Sequence, residues 1–446
     1  MDTDELIKKV QDKNKFVSLL FSDMLGHIKS VKMPVSQLEK ALKDSIGVDG
    51  SSLLGFARIE ESDQRIIPDP NTYRVLPWTK DSDMQTATFN CNIYNPDGTP
   101  FEGCPRNILK RAIDYTENLG FKYNVSGEME FFLFDADDAG KPKLELVDGI
   151  LKPIPVDTGG YFDYYSTKAV DRMVLMLEDM GFEVEASHKE VAEGQFEIDF
   201  KYSDAMTSAD TILLLKLVVK EIARQQGYYA SFMPKPIYGV NGSGMHVNQS
   251  LSDLQGNNIF YDPGAEHGLS KILHQFTAGQ LEHAPSFLAI TSPLVNSYKR
   301  LTPGYEAPVY LTRGRINRSG LIRIPDATGK SIRAEIRVPD PSSNPYLVFA
   351  VLLRAGLDGI ESNINPPPFI SENVYHMTEQ ERLDKGIYSI PGSLIEAVDK
   401  FSNSDLMKAT LGEHLFREYI KAKTQEWDKF RTAVTNWEIK EFLRRY

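Results

Sequence analysis

Four short segments of the chain repeat one pattern, and it constrains the fold more than any other feature. Residues able to hold ions or protons stand two apart, with apolar residues between them. Glu128 and Glu130 flank Met129; Gln195, Glu197 and Asp199 alternate with Phe196, Ile198 and Phe200. His246, Asn248 and Ser250 alternate with Met245 and Val247; Arg333, Glu335 and Arg337 alternate with Ile332, Ala334 and Ile336. In a β-strand, residues i and i+2 share one face of the sheet. The pattern therefore predicts strands with one apolar face on a core. The other face carries carboxylate, imidazole and guanidinium, as the floor of a cleft that holds cations and an anionic substrate would.

Composition narrows the class. The chain has 446 residues and 41% hydrophobic content, enough for a large core, and this length suggests roughly two or three domains. The formal net charge is −12, with no basic run of the kind nucleic acid or an anionic membrane requires. General solubility is an alternative account of that acidic excess. Cys91 and Cys104 lack metal-site spacing and do not make a disulfide framework, which points to a reducing cytosol. The segment MDTDELIKKV lacks the charged-then-apolar order of a signal peptide, and no apolar run approaches the roughly 20 residues of a membrane span. A cytoplasmic location is the expectation.

The turn-rich stretch NPDGTPFEGCPR divides the chain into residues 1–103 and 104–446. The first part reads as a small α+β unit. A helix follows a capping Asp2 or Thr3, KFVSLLFSD and HIKSVKMP read as strands, SQLEKALKD as a helix and TATFNCNIY as a strand. GVDGSSLLGFARIEESD reads as a loop. Beyond the boundary, PRNILKRAIDYTENLG has Pro105 at its start and Gly120 at its end, the asymmetry of a helix. Long helices, such as SADTILLLKLVVKEIARQQG and NPYLVFAVLLRAGLDGIE, do not alternate strictly with strands. That predicts an α+β fold with a mostly antiparallel sheet.

Glu128, Glu130, Glu190, Glu197 and Glu335 cannot all be buried as bare anions. Divalent cations solve the problem: carboxylates suit Mg²⁺, and one imidazole, His246, is better tolerated by Mn²⁺. The alternative is solvated strand-face charge with a hydrogen-bonded core histidine. Arg300, Arg313, Arg315, Arg318, Arg323, Arg333 and Arg337 crowd one stretch of an acidic protein, which suggests phosphate or a dicarboxylate as ligand, with Arg–Glu ion pairs as the alternative. Metals and arginines around phosphate suit phosphoryl transfer. Thr328-Gly329-Lys330-Ser331 imitates the end of a P-loop but lacks its upstream glycine. Gly242-Ser243-Gly244 imitates a dinucleotide fingerprint but has Val247 where the third glycine belongs. The remaining histidines read as structural or surface groups.

Taken together, VDGSSLLGFARIEESD, SGEMEFFLF, HKEVAEGQFEIDFKY, NGSGMHVNQSL, KRLTPGYEAP and NRSGLIRIP followed by RAEIRVPDPSSNPYL resemble type I glutamine synthetase over essentially the whole chain. The resemblance implies ligation of ammonia to glutamate at the expense of ATP, through a γ-glutamyl phosphate; a glutamate–amine ligase of the same family is the alternative. It implies an N-terminal β-grasp domain over 1–103 and a catalytic domain over 104–446, with a curved sheet flanked by helices. Two stacked hexameric rings are implied as well, a dodecamer whose active sites lie between adjacent subunits, with small regulatory proteins as further partners.

By motif, Glu130, Glu190 and Glu197 resemble the ligands of a first Mg²⁺ or Mn²⁺, and Glu128, His246 and Glu335 those of a second. Asn241, Gly242, Arg300, Arg318 and Arg337 resemble contacts of substrate glutamate. Ser250, Arg323 and Arg333 resemble those of ATP. Glu306 resembles the residue of a closing loop that takes a proton from ammonium. Asp49, with Ser52, Tyr161 and Glu190, resembles the ammonium pocket, Asp49 coming from the adjacent subunit. Arg58 resembles a residue of glutamine feedback. The chain departs from the family's usual pattern at Lys189, commonly His; at Thr88, where many relatives carry Arg; and in DATGKS, where Lys330 supplies the positive charge. It lacks the insertion of the longer subtype, and the surroundings of Tyr375 argue against adenylylation.

Overall fold

The computed structural model describes residues 2–52, 63–147, 150–165, 167–315 and 317–446. In the N-terminal unit, six successive buried residues make Phe16–Ser22 an interior strand. It pairs antiparallel with Ile28–Pro34 and parallel with Thr86–Tyr94. The sheet continues through Asp63–Pro68 to Ile46–Asp49, with Arg74–Val75 added beside Thr86–Tyr94. The helix Thr3–Lys13, capped by Asp2, lays Leu6, Ile7 and Val10 on a core with Val17, Leu19, Phe89 and Ile93. One expectation is corrected here. Ile46–Asp49 is a strand, opposite Asp63–Ile66, and not part of a loop. Ile46 and Val48 are half-buried at the sheet edge, an alternation masked by Gly47 and by the Gly-Ser run that follows.

The second unit opens with the helix Pro105–Asn118, which has Pro in its first turn and is followed by Gly120 at φ 87°. Among the described residues its sheet has nine strands. The order is Val184–Lys189, Gln195–Phe200, Phe121–Asp135, Met245–Asp253, Ala334–Ile336, Ile322–Ile324 and Arg313–Arg315, with Ser203–Asp204 and Tyr228–Ser231 also on the long strand. Among these, the pairing of Arg313–Arg315 with Ile322–Ile324 is parallel and every other pairing is antiparallel. Helices Ala205–Gln225, Lys271–Thr291 and Pro345–Glu361 cover the apolar side. The last two cross at glycines: a Cβ on Gly279 would lie 2.2 Å from the Ala355 carbonyl oxygen. Neither look-alike motif precedes a helix of its supposed kind. Gly329–Ser331 is a single 3-10 turn, and Gly242-Ser243-Gly244 leads into a strand.

A buried charge cluster ties the two units together. The Arg106 guanidinium donates to both carboxylate oxygens of Asp210 at 3.1 and 2.9 Å, and to Asp69 and Asn92 of the N-terminal unit at 2.9 and 2.8 Å. The Tyr346 hydroxyl donates to Asp210. Among the described residues, no helix is long and apolar enough to cross a membrane.

Candidate active site

Strand register assembles the site. On the long strand, Glu130 faces Glu197, and Glu128 faces Asp199 on one side and His246 on the other. Asn248 faces Glu335, which faces Arg323. Between these positions, Met129, Phe131, Phe196, Ile198, Met245, Val247, Ala334 and Ile336 are fully buried. Core burial of that face leaves the polar face no other direction to point.

The carboxylates sit in unequal surroundings. Glu128 accepts from Asn248 at 2.7 Å and lies 3.1 Å from His246 Nδ1. Burial alone would raise its pKa, but those hydrogen bonds and the Arg337 charge hold it near 2. Glu130 accepts from the Gly244 N–H at 2.9 Å and from Gln195 at 2.8 Å. Burial and the Glu190 charge nevertheless push it up to about 8. Burial, then the charges of Glu130, Asp199 and Glu128, raises Glu197 well above the carboxylate range. Burial is also the main cause of the rise at Glu190, and at Asp199 to about 6. His246 is pushed down by burial and by Arg337, so the neutral imidazole is favoured. Glu335 accepts from Arg323 and Arg337 at 2.6 and 3.2 Å.

Oxygen donors whose own repulsion favours protons, with a neutral imidazole beside them, fit hard divalent cations. Among the described residues, two groups bring ligand atoms within 4.8 Å of one another: Glu128, Glu197 and His246, and His188, Glu190 and Glu197. Glu197 belongs to both. Glu130 and Glu335 stand alongside, with Oε1 of each 3.8 Å from a ring nitrogen of His246. His188 corrects the sequence reading. It is no stray histidine, since its Nε2 lies 3.2 Å from Glu197 and its Nδ1 3.6 Å from Glu190. Its spacing two before Glu190 was the available signal. Asn248 and Gln195 were visible in the alternation, but their tasks as donors to Glu128 and Glu130 were not.

These residues floor a cavity of about 240 Å³. Asn241, Gly242, Arg300, Arg318, Arg323 and Arg337 line it, with Tyr161 and Glu306 at its border. Arg300 is anchored by donating to the Val338 and Arg337 carbonyls, both at 3.0 Å. A Cβ on Gly242 would lie 2.3 Å from the Pro234 carbonyl oxygen, and one on Gly244 would meet Arg300 at 2.6 Å and His246 at 2.9 Å, which is why glycines stand there. Glu306 has a left-handed backbone, φ 56°, and the next residue's carbonyl accepts from the Tyr375 hydroxyl at 2.6 Å. Beyond Glu306 and Arg318 opens a wider cleft of about 790 Å³, with Arg315, Asn317 and Tyr375 in its wall.

Not every expected residue meets the cavity. Ser250 lies farther along its strand, opposite Asn124. Arg333 donates to Asn248 at 2.9 Å and is not among the lining residues. Asp49 is exposed at the end of its strand, apart from the cavity of its own chain. Arg58 and the Ser52 side chain lie outside the described residues. Arg313 donates to the Pro367 carbonyl and covers the Phe369 ring, and Arg315 forms an ion pair with Asp326, so neither extends the arginine lining of the cavity.

Known proteins match this arrangement. Residues 13–96 match the model of the glutamine synthetase β-grasp domain, and residues 102–442 that of the glutamine synthetase catalytic domain. The chain belongs to the glutamine synthetase family. A glutamine synthetase of Clostridium saccharobutylicum is 49% identical over 448 residues, covering 99% of each chain. That of Methanosarcina mazei is 47% identical over 445 residues, covering 99% of this chain and 97% of its own. Among solved structures, a GmaS–ADP complex superposes with a TM-score of 0.88 at 28% identity, covering 98% of this chain and 99% of that one. The activity that accompanies membership of the glutamine synthetase family is ATP-dependent formation of glutamine, a glutamate–ammonia ligase reaction that uses ATP and divalent metal.

Proposed function

We propose that the carboxylate face of the nine-stranded sheet holds two or more Mg²⁺ ions, with Mn²⁺ as substitute, and that the cavity above it joins glutamate to ammonia. The carrying observation is the register that gathers Glu128, Glu130, Glu197 and His246 on one face, where burial and mutual repulsion make the bare charge of Glu130 and Glu197 unfavourable. Glu130, Glu190 and Glu197 would hold the first ion, and Glu128, His246 and Glu335 the second. Bound there, the ions would supply charge neutralisation at phosphate and polarisation of the acyl group.

The chain's own side chains do the rest. Arg300, anchored in the wall, and Arg337, with Asn241 and Gly242, orient the carboxylate of glutamate. Arg323 and Arg333 meet phosphate oxygens, and Ser250 lies on the nucleotide side; the solved neighbour that carries ADP supports a nucleotide on this scaffold. Arg318 compensates negative charge as it develops. Ammonium is not a nucleophile until it loses a proton. Tyr161, Glu190 and Ser52 would hold the cation, and Asp49 of an adjacent copy and Glu306 would accept its proton. The Glu306 loop, closed over the cavity, excludes the water that would hydrolyse an acyl phosphate.

An adjacent copy is thus part of the site, in a dodecamer of two hexameric rings. Exposed apolar groups support association: Leu146 and Leu151 on the hairpin Leu144–Val147/Ile150–Pro153, and Trp437, Ile439 and Leu443 near the C-terminal helix. The domain division at 103/104, small regulatory protein partners and a cytoplasmic location complete the proposal. Replacing Arg58 should raise the glutamine concentration needed to inhibit and leave turnover intact; unchanged inhibition rejects its feedback role.

The deciding assay follows ADP and glutamine together. ATP hydrolysis that requires both glutamate and ammonium supports the reading. Methylamine or putrescine accepted as well as ammonium would assign the glutamate–amine ligase reaction instead.

A further inference from the structure

Lys189 stands between His188 and Glu190 yet faces away from the cavity. It is 1% exposed, among the most deeply buried large side chains described. Its register partner is the buried Phe196, and its ammonium also lies 5.2 Å from the centre of that ring. A buried ammonium needs a partner, and Asp157 provides one: Oδ1 accepts from Lys189 Nζ and from the Gly194 N–H. The loop beyond Asp157 then lies directly on the lysine. A Cβ on Gly159 would be 3.0 Å from Lys189 Cε, and the Phe162 N–H donates to the Lys189 carbonyl at 3.3 Å.

That loop carries Tyr161. Tyr161 and Phe162 are 43% and 64% exposed, so core burial does not hold them. Their rings stack at 4.0 Å and stand edge-on to His188, and the Phe162 backbone is left-handed at φ 60°. Tyr161 and Arg318 line the same cavity. An exposed, strained turn that must present one hydroxyl needs a fixed support beneath it.

We propose that Lys189 is a positioning residue: by clamping Asp157 it fixes the Gly159–Asp163 turn and holds the Tyr161 hydroxyl at the ammonium side of the cavity. The ammonium part rests on the reading of Tyr161 under Proposed function; the clamp itself does not. A chain with a shorter side chain at 189 must support this turn differently, so ammonium affinity is tuned from outside the cavity.

Two variants test it in the full-length enzyme, Lys189→Met and Asp157→Asn, the second serving if the first fails to fold. Hydrogen exchange over residues 157–163 reads the clamp, and steady-state kinetics read its consequence. Exchange in the turn should rise in both variants. KM for ammonium should rise about tenfold while KM for glutamate and for ATP stays within about twofold. Lys189→Met added to Tyr161→Phe should raise KM for ammonium no further. Unchanged exchange overturns the clamp, and so does an additive double variant. Raised exchange with ammonium KM unchanged in Lys189→Met and in Tyr161→Phe alike keeps the clamp and removes Tyr161 from the ammonium pocket.

Discussion

The buried charge at the domain junction and that on the catalytic sheet are built on opposite terms. At the domain junction, Arg106 meets Asp210 through two bonds, Asp69 and Asn92 take two more of its donors, and the Tyr346 hydroxyl donates to Asp210. Burial there would depress the guanidinium, but the Asp210 and Asp69 partners more than offset it and push its pKa up. On the catalytic sheet, Glu130, Glu190, Glu197 and Asp199 crowd together, and each is pushed toward protonation. The first cluster satisfies its charges within the chain and serves the fold. The second does not, and what it lacks is cationic. Buried charge that the chain itself neutralises marks structure; buried charge it leaves over marks a site for a ligand.

Glu197→Gln tests the contrast most severely. Turnover is expected to fall about a thousandfold or more, while thermal unfolding of the metal-free protein stays level or moves upward, because a carboxyl that burial and its neighbours disfavour as an anion has gone. A fall in metal-free stability would make this cluster structural too. Arg106→Met is the mirror experiment. It strands buried Asp210 and should cost about 3–5 kcal/mol in urea unfolding, with Mg²⁺ affinity of the folded enzyme unchanged. Weakened Mg²⁺ binding would mean that the two clusters communicate.

The third test is pH. A carboxyl whose folded pKa exceeds its unfolded value destabilises the fold as pH rises between the two. Glu130, moving from 4.5 to about 8, therefore removes stability from the metal-free protein across that window. Unfolding temperature in EDTA should decline from acid to neutral pH, and Mg²⁺ should abolish the decline and release protons to the buffer. A metal-free protein that gained stability over the same range would contradict the raised pKa. Smallest is Tyr375→Phe, which deletes only the bond to the Ala307 carbonyl, worth about 1 kcal/mol. ATP consumed per glutamine formed should rise a few-fold through looser closure of the Glu306 loop; an unchanged ratio would show that this bond does not hold the loop.

Much of the site was legible in the sequence because strand alternation is short-range: Glu128, Glu197, His246 and Glu335 each announce their face within a few residues. Four separate strands then needed only to be neighbours, which the order of the sheet supplies. What escaped was long-range or unpatterned. His188 escaped because the pairing of its strand with that of Glu197, and not the alternation along the chain, brings it to the cluster. Arg313 and Arg323 look alike in the chain, yet one is bound to the Pro367 carbonyl and the other to Glu335. Ile46–Asp49 escaped because glycine and serine obscure an edge strand. The support Lys189 gives to Tyr161 depends on a loop that carries no periodic signal.

The pairing of Glu128 with His246 and of Glu130 with Glu197 has a genetic corollary. Losing or gaining one codon within residues 121–135 would turn each later side chain of that strand to the opposite surface. Such a lesion would bury acids and expose phenylalanines at a stroke, whereas point changes there erode activity by degrees. Tolerated length variation among relatives should therefore fall outside this segment.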